Sequence, residues 1–136
     1  MNMTKRIYNE IFGVTLAAED APMTEKIQWE NDARNSIAKA EVSKYTFEGS
    51  EKQVAWVEKI VKSFFYKALS EDYLYIVDYV KTLRSECEAH KDAQYWISRR
   101  EKSLSNLFPE VEKEIDAMTE NLSSKEEEYQ WILSRV

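Results

Sequence analysis

Glycine and proline, the residues that let a backbone turn sharply, occur in this chain only at Gly13, Gly49, Pro22 and Pro109. A protein built of short strands needs a turn residue about every 8–12 positions. A 136-residue chain with four of them is therefore expected to consist of helices joined by few breaks. The length suits one domain, and a chain of this size buries roughly two-thirds of its unfolded surface on folding. Hydrophobic residues at 43% and four tryptophans (Trp29, Trp56, Trp96 and Trp131) are too apolar a complement for a disordered chain, even with 32% charged residues. The expectation is an all-α, single-domain helical bundle of about six to seven helices over residues 1–136, with a short extended segment near 44–49.

The clearest helix start is Ser50-Glu51-Lys52-Gln53, where the serine hydroxyl can accept from the Gln53 amide while Gln53 reaches back to the cap's own amide. Behind it Val54, Val57, Ile60, Val61, Phe64, Phe65 and Ala68 recur at three- and four-residue steps, an apolar stripe that must face a core. Other segments read less sharply. A first helix is expected from about Thr4 to Phe12, capped by Thr4 and ended by Gly13, followed by a connector over 14–22. Thr24 is expected to cap a helix reaching about Val42, with Ile27, Ala33, Ile37 and Ala40 inward. Tyr45 and Phe47 alternate with polar neighbours as in extended chain, and Gly49 frees the backbone to turn. Ser70 is expected to open a helix through Cys87; Tyr73 to Val80 alone could pass for a strand, but the stripe continues into Leu83 at helical period. Asp92 starts or interrupts a helix with Ala93, Trp96, Ile97 and Leu104 inward, and Trp56 and Trp96 are expected to meet between helices. Pro109 suits the first turn of a helix with Val111, Ile115, Met118 and Leu122 inward. Ser123 and Ser124 then stand three residues before Glu126 and Glu127, a second capping box, opening a last helix centred on Ile132.

No catalytic site, metal site or cofactor is expected. The two glycines are too far apart for a phosphate loop. One cysteine and one histidine cannot build a zinc site without acids or a second subunit. On a helix His90 can touch Glu86 or Cys87, which reads as an ordinary helix end, and Cys87 as a buried structural thiol. The lone cysteine, the absence of a secretory pattern and the lack of a run of about 18 apolar residues point to the cytoplasm, that of the host cell if the chain is phage-encoded, with no membrane insertion.

Charge is unevenly placed. Between residues 110 and 128 lie eight acids (Glu110, Glu112, Glu114, Asp116, Glu120, Glu126, Glu127 and Glu128) against Lys113 and Lys125, which accounts for the whole net charge of −6. These acids fall between apolar positions, as on a solvated helix face. Their functional reading is a protein-binding surface that imitates phosphate spacing and occupies a nucleic-acid groove on another protein. The rest of the chain is balanced and lacks the broad basic field of most nucleic-acid binders. A local patch remains: Arg99, Arg100 and Lys102 could contact phosphates beside Tyr95, a candidate stacking ring, with Lys59 and Lys62 as further cations.

The segments Gly49-Ser50-Glu51-Lys52-Gln53-Val54-Ala55-Trp56-Val57-Glu58-Lys59-Ile60 and Ala93-Gln94-Tyr95-Trp96-Ile97-Ser98-Arg99-Arg100 together resemble a pattern of small uncharacterised phage, plasmid and integrative-element proteins, GSEKQxxW followed by AxxWIxxR. The resemblance covers about twenty positions and departs at Val57, where that group tends to carry alanine, and at Val61, where it carries a basic residue. It implies a non-enzymatic protein of mobile-element origin that binds a host protein of a defence or nucleic-acid-processing system, as an inhibitor of anti-CRISPR or anti-restriction type. The alternative is a nucleic-acid-binding accessory protein using Lys59, Lys62, Arg99, Arg100 and Lys102. An exposed Trp29 or Trp131 would mark a partner or homodimer surface.

Overall fold

The computed structural model describes residues 2–15, 17 and 20–136, through which run eight helices: α1 (Met3–Glu10), α2 (Met23–Val42), α3 (Glu51–Leu69), α4 (Ile76–Ala89), α5 (Ala93–Ile97), α6 (Leu104–Leu107), α7 (Glu110–Thr119) and α8 (Lys125–Arg135). Part of the connector expected over 14–22 lies outside the described residues.

The organising helix is α3, and its start forms as the spacing predicts. The Ser50 hydroxyl accepts from the Gln53 amide at 3.2 Å, and the Gln53 side-chain oxygen accepts from the Ser50 amide at 3.0 Å. Gly49 is needed there: its φ is +153°, and a Cβ would fall 2.9 Å from that same Gln53 oxygen and 3.1 Å from the Ala93 Cβ. The predicted stripe buries Val57, Ile60, Val61, Phe64, Phe65 and Ala68 and leaves Val54 half-buried, Leu69 is buried beside it, and α2, α4, α5 and α6 all pack on this face. The segment before Gly49 is extended. Glu48 pairs with the strand-like residues ahead of α5, donating its amide to the Lys91 carbonyl at 2.7 Å and accepting from the Ala93 amide at 3.0 Å.

Several expectations are corrected, each for a local reason. α1 begins at Met3 because the Asn2 side chain, not Thr4, accepts from the Lys5 amide. In α2 no side chain caps the start, Ile27 is 53% exposed and Ala40 is exposed. The inward row instead steps by fours through Trp29, Ala33 and Ile37, with Trp29 packed on Tyr8 and donating to the Thr15 carbonyl. Ser70 closes α3 rather than opening α4, its hydroxyl donating to the Tyr66 carbonyl; Asp72 then holds a turn, and helix resumes at Ile76. Trp96 is buried between Phe47 and Phe64, while Trp56 lies 45% exposed on the far side of α3, so the two indoles do not meet. In α7 only Ile115 is buried and Met118 is 49% exposed, because this helix sits at the periphery against α6. The short α6, capped by Ser103, carries too little periodicity to be read from sequence.

The last helix docks on both ends of the chain's core. Tyr129 and Ile132 are buried, the Arg6 guanidinium lies 3.5 Å from the centre of the Tyr129 ring, and Arg135 meets Asp78 of α4 at 3.0 Å. Ser124 accepts from the Glu127 amide, but the Glu127 carboxylate reaches back to the Ser123 amide, one residue before the cap.

Candidate nucleic-acid interface

Half of the eight acids of the segment are engaged within the molecule. Asp116 accepts from the Tyr75 hydroxyl at 2.5 Å, Glu128 from the Tyr73 hydroxyl at 2.9 Å, and Glu126 pairs with Arg6 at 3.2 Å. Glu127 is consumed by the cap of α8. The hydrogen bond to Asp116 pushes the Tyr75 phenol well above its ordinary range, and burial assists. Beside it Tyr79 is fully buried, and its hydroxyl finds no hydrogen-bond partner among the described residues. Burial, then the charges of Glu112 and Glu71 and the nearness of the Glu112 carboxylate as an acceptor, push that phenol up to about 12. What stays exposed on α7 and its end are Glu110, with Lys113 at 4.0 Å, Glu114 and Glu120, together with Met118.

The cations behave differently. Tyr95 is covered by its own neighbours, Arg99 among them. The His90 ring stacks on Tyr95 at 3.8 Å with an interplanar angle of 2°, and the Arg99 guanidinium lies 3.8 Å from the same ring centre. Two groups cannot share that distance on one face, so both faces of Tyr95 are covered. Its hydroxyl donates to Glu86 at 2.5 Å, and burial together with this carboxylate pushes the phenol up to about 12. Tyr95 is therefore a structural ring and not a stacking platform for a base.

Lys59, Lys62, Arg100 and Lys102, spread over more than forty positions of sequence, all border α3: Lys59 and Lys62 lie on the helix, Arg100 reaches Trp56, and Lys102 lies beside Tyr66 and Lys67. Lys59 and Lys62 line a groove of about 550 Å³ against α2, with Lys39, Val42, Tyr45 and Glu58. The same two lysines wall a second groove of about 340 Å³ with Asn35 and Tyr66. Tyr66 in turn borders a third depression, edged by Lys67 and Lys102 but also by Glu71 and Glu101. Arg100 leans over Trp56 at 5.2 Å from the ring centre, fixed by a 2.6 Å hydrogen bond to the Ile97 carbonyl and with Glu101 at 3.8 Å. Among the described residues no carboxylate lies within salt-bridge distance of Lys39, Lys59 or Lys62. The grooves thus follow one another along α3, lined by Lys39, Lys59, Lys62, Lys67 and Lys102 with Glu58, Glu71 and Glu101 among them. The half-exposed Trp56 indole lies on the same helix outside them.

Sequence reading missed Lys39 and Lys67, and it missed the exposure of Trp56. A signal for the last was present: Trp56 falls off the inward stripe of α3, between Val57 on one side and the lysine positions on the other. Also unforeseen is Glu41, which is 3% exposed and receives Arg84 at 2.6 and 2.9 Å and Lys44 at 3.0 Å. Burial alone raises this carboxyl, but the donors outweigh it and hold Glu41 below its ordinary range.

Cys87 is buried, and burial pushes its thiol up to about 12, far from the reactive thiolate range. His90 meets Glu86 at 3.5 Å. Among the described residues no group of three or more His, Cys, Asp or Glu side chains is arranged to hold a metal ion, and no helix is long and apolar enough to cross a membrane. No family model, curated protein or solved structure matches the chain.

Proposed function

We propose that this chain is a non-enzymatic binding protein whose working surface is the outer face of α3, which contacts the phosphate backbone of a nucleic acid. The observation that carries this reading is that Lys59, Lys62, Arg100 and Lys102 all border α3 outside the core, with Lys39 and Lys67 beside them. Lys59 and Lys62 have no carboxylate within salt-bridge distance among the described residues, Arg100 has only the exposed Glu101 at 3.8 Å, and cations so placed can neutralise phosphates and release counterions. About four such contacts give a slope of log affinity on log salt of roughly −3.6 on a duplex, a loss of roughly 100-fold between about 50 and 200 mM salt. The test is fluorescence anisotropy with a labelled oligonucleotide across that range. A steep salt dependence is expected, with at least a roughly 10-fold loss at low salt for the K59E/K62E variant. Equal binding by variant and wild type, or no binding at low salt, would overturn the reading.

A second reading rests on the exposed side chains of α7 and its end. Exposed Glu110, Glu114 and Glu120 together with the half-exposed Met118 fit a basic, partly apolar groove on another protein. This supports an inhibitor of a host defence or nucleic-acid-processing protein, of the anti-CRISPR or anti-restriction type that the mobile-element resemblance implies. A plasmid-transformation assay should then show protection by the wild-type chain and none by E110K/E114K/E120K. Equal protection by the two would exclude that surface.

A further inference from the structure

We infer that the nucleic acid taken by the α3 face is single-stranded, with Trp56 as the platform on which an unpaired base stacks; this rests on the reading of α3 as a phosphate-contacting surface. In a duplex the faces of the bases are covered by their neighbours, and only edges and backbone are offered to a protein. A single strand offers both, and an aromatic ring beside a cationic groove is the arrangement that recognises the combination.

The four tryptophans differ in a telling way. Trp96 is 1% exposed in the core, and Trp29 and Trp131 are half-buried against it, whereas Trp56 is 45% exposed on the polar side of α3. Lys59 stands three residues on, a neighbour of Trp56 on the helix surface, and it lines the grooves that run past Lys62 to Tyr66. The other aromatic residues near the grooves are less open than Trp56: Tyr45, in the groove wall, is half-buried with Lys91 5.2 Å from its ring centre. Tyr95 is covered on both faces, and Tyr66 is half-buried with its hydroxyl donating to Asn31 at 3.2 Å.

Arg100 is the second half of the site. At 5.2 Å from the Trp56 ring centre it stands well outside the 3.8 Å contact that Arg99 makes with Tyr95, so the indole is flanked rather than sealed. Its hydrogen bond to the Ile97 carbonyl holds the guanidinium beside the ring, where it can meet the phosphate next to a stacked base. A base on Trp56 with its neighbouring phosphates at Arg100 and Lys59 uses the two features together. A duplex laid on the same face uses only the cations.

The test compares a labelled single-stranded dT oligomer, an oligo(U) of the same length and a matched DNA duplex, each with wild-type, Trp56→Ala and K59E/K62E chains whose helical content and melting are checked first. The wild type should hold at least one single strand several-fold more tightly than the duplex, the two single-strand arms separating DNA from RNA. Trp56→Ala should weaken single-strand binding roughly 5- to 100-fold and leave the duplex within about twofold, and Trp56→Phe should recover part of the loss. Binding of all three probes that is equal, sensitive to K59E/K62E and insensitive to Trp56→Ala overturns the single-strand inference while the α3 reading stands. No binding of any probe overturns both.

Discussion

α3 and α7 carry charge on their outer faces in opposite sign, and they are held in place by opposite means. α3 buries seven side chains against four neighbouring helices, so its apolar stripe alone fixes it and its lysines are left without structural duty. α7 buries only Ile115, which lies outside the contiguous core, and the chain makes up the deficit with polar contacts such as Tyr75 to Asp116. A well-anchored helix keeps its polar face free for a partner, whereas a poorly anchored one spends its charges on its own attachment. The segment that dominates the net charge is for this reason the less available of the two surfaces.

The contrast breaks down if the two helices respond alike to loss of their anchors. Phe64→Ala on α3 should cost about 3–5 kcal/mol and lower the urea midpoint of the whole chain. Ile115→Ala on α7 should cost about 2 kcal/mol, at the low end for such a truncation because the peripheral site can relax. Its main signature should be faster amide exchange confined to α7. A global loss for Ile115→Ala as large as that for Phe64→Ala would show that α7 is not peripheral.

Titration sharpens the same comparison. The Glu41 carboxyl is held low by Arg84 and Lys44, so the unfolded chain binds the proton more readily, and the stability Glu41 supplies is present above its ordinary value of 4.5 and lost as pH falls through the folded value. Glu71 is raised, by burial first and then by Glu112 and Asp72, so its sign is reversed: the folded chain takes the proton more readily and gains stability as pH falls through that range. Glu41→Gln should therefore cost about 1–3 kcal/mol at neutral pH and flatten the acid limb of the stability profile. An unchanged acid limb would mean that the Arg84 contact carries no net stability. The smallest effect is expected at Tyr79. Its hydroxyl is buried near the Glu112 carboxylate without a hydrogen bond of good geometry, so Tyr79→Phe should be neutral or raise stability by up to about 1 kcal/mol, whereas a clear loss would mean that the hydroxyl bonds to Glu112 in solution.

The all-helical architecture, the α3 cap and stripe, the extended 44–49 segment and the burial of Trp96 were legible because each follows from local spacing. Periodicity misled where a helix meets too little of the bundle to bury its stripe, as at Met118 and Ile27. The candidate surface was half legible. Lys59, Lys62, Arg100 and Lys102 are visible as cations, but that all of them border α3 depends on how α5 and its following turn fold back on α3. Tyr95 shows the reverse: an aromatic residue beside arginines suggests a stacking site until His90, five positions earlier, is seen to close its other face.

The most direct test is a ¹⁵N NMR titration with a short single-stranded oligonucleotide, following backbone amides and tryptophan indole N–H signals together. The account predicts shifts at the Trp56 indole and at Lys59, Lys62, Arg100 and Lys102, with Glu110 to Glu120 unmoved. Shifts that are absent, or scattered away from the outer face of α3, would contradict it.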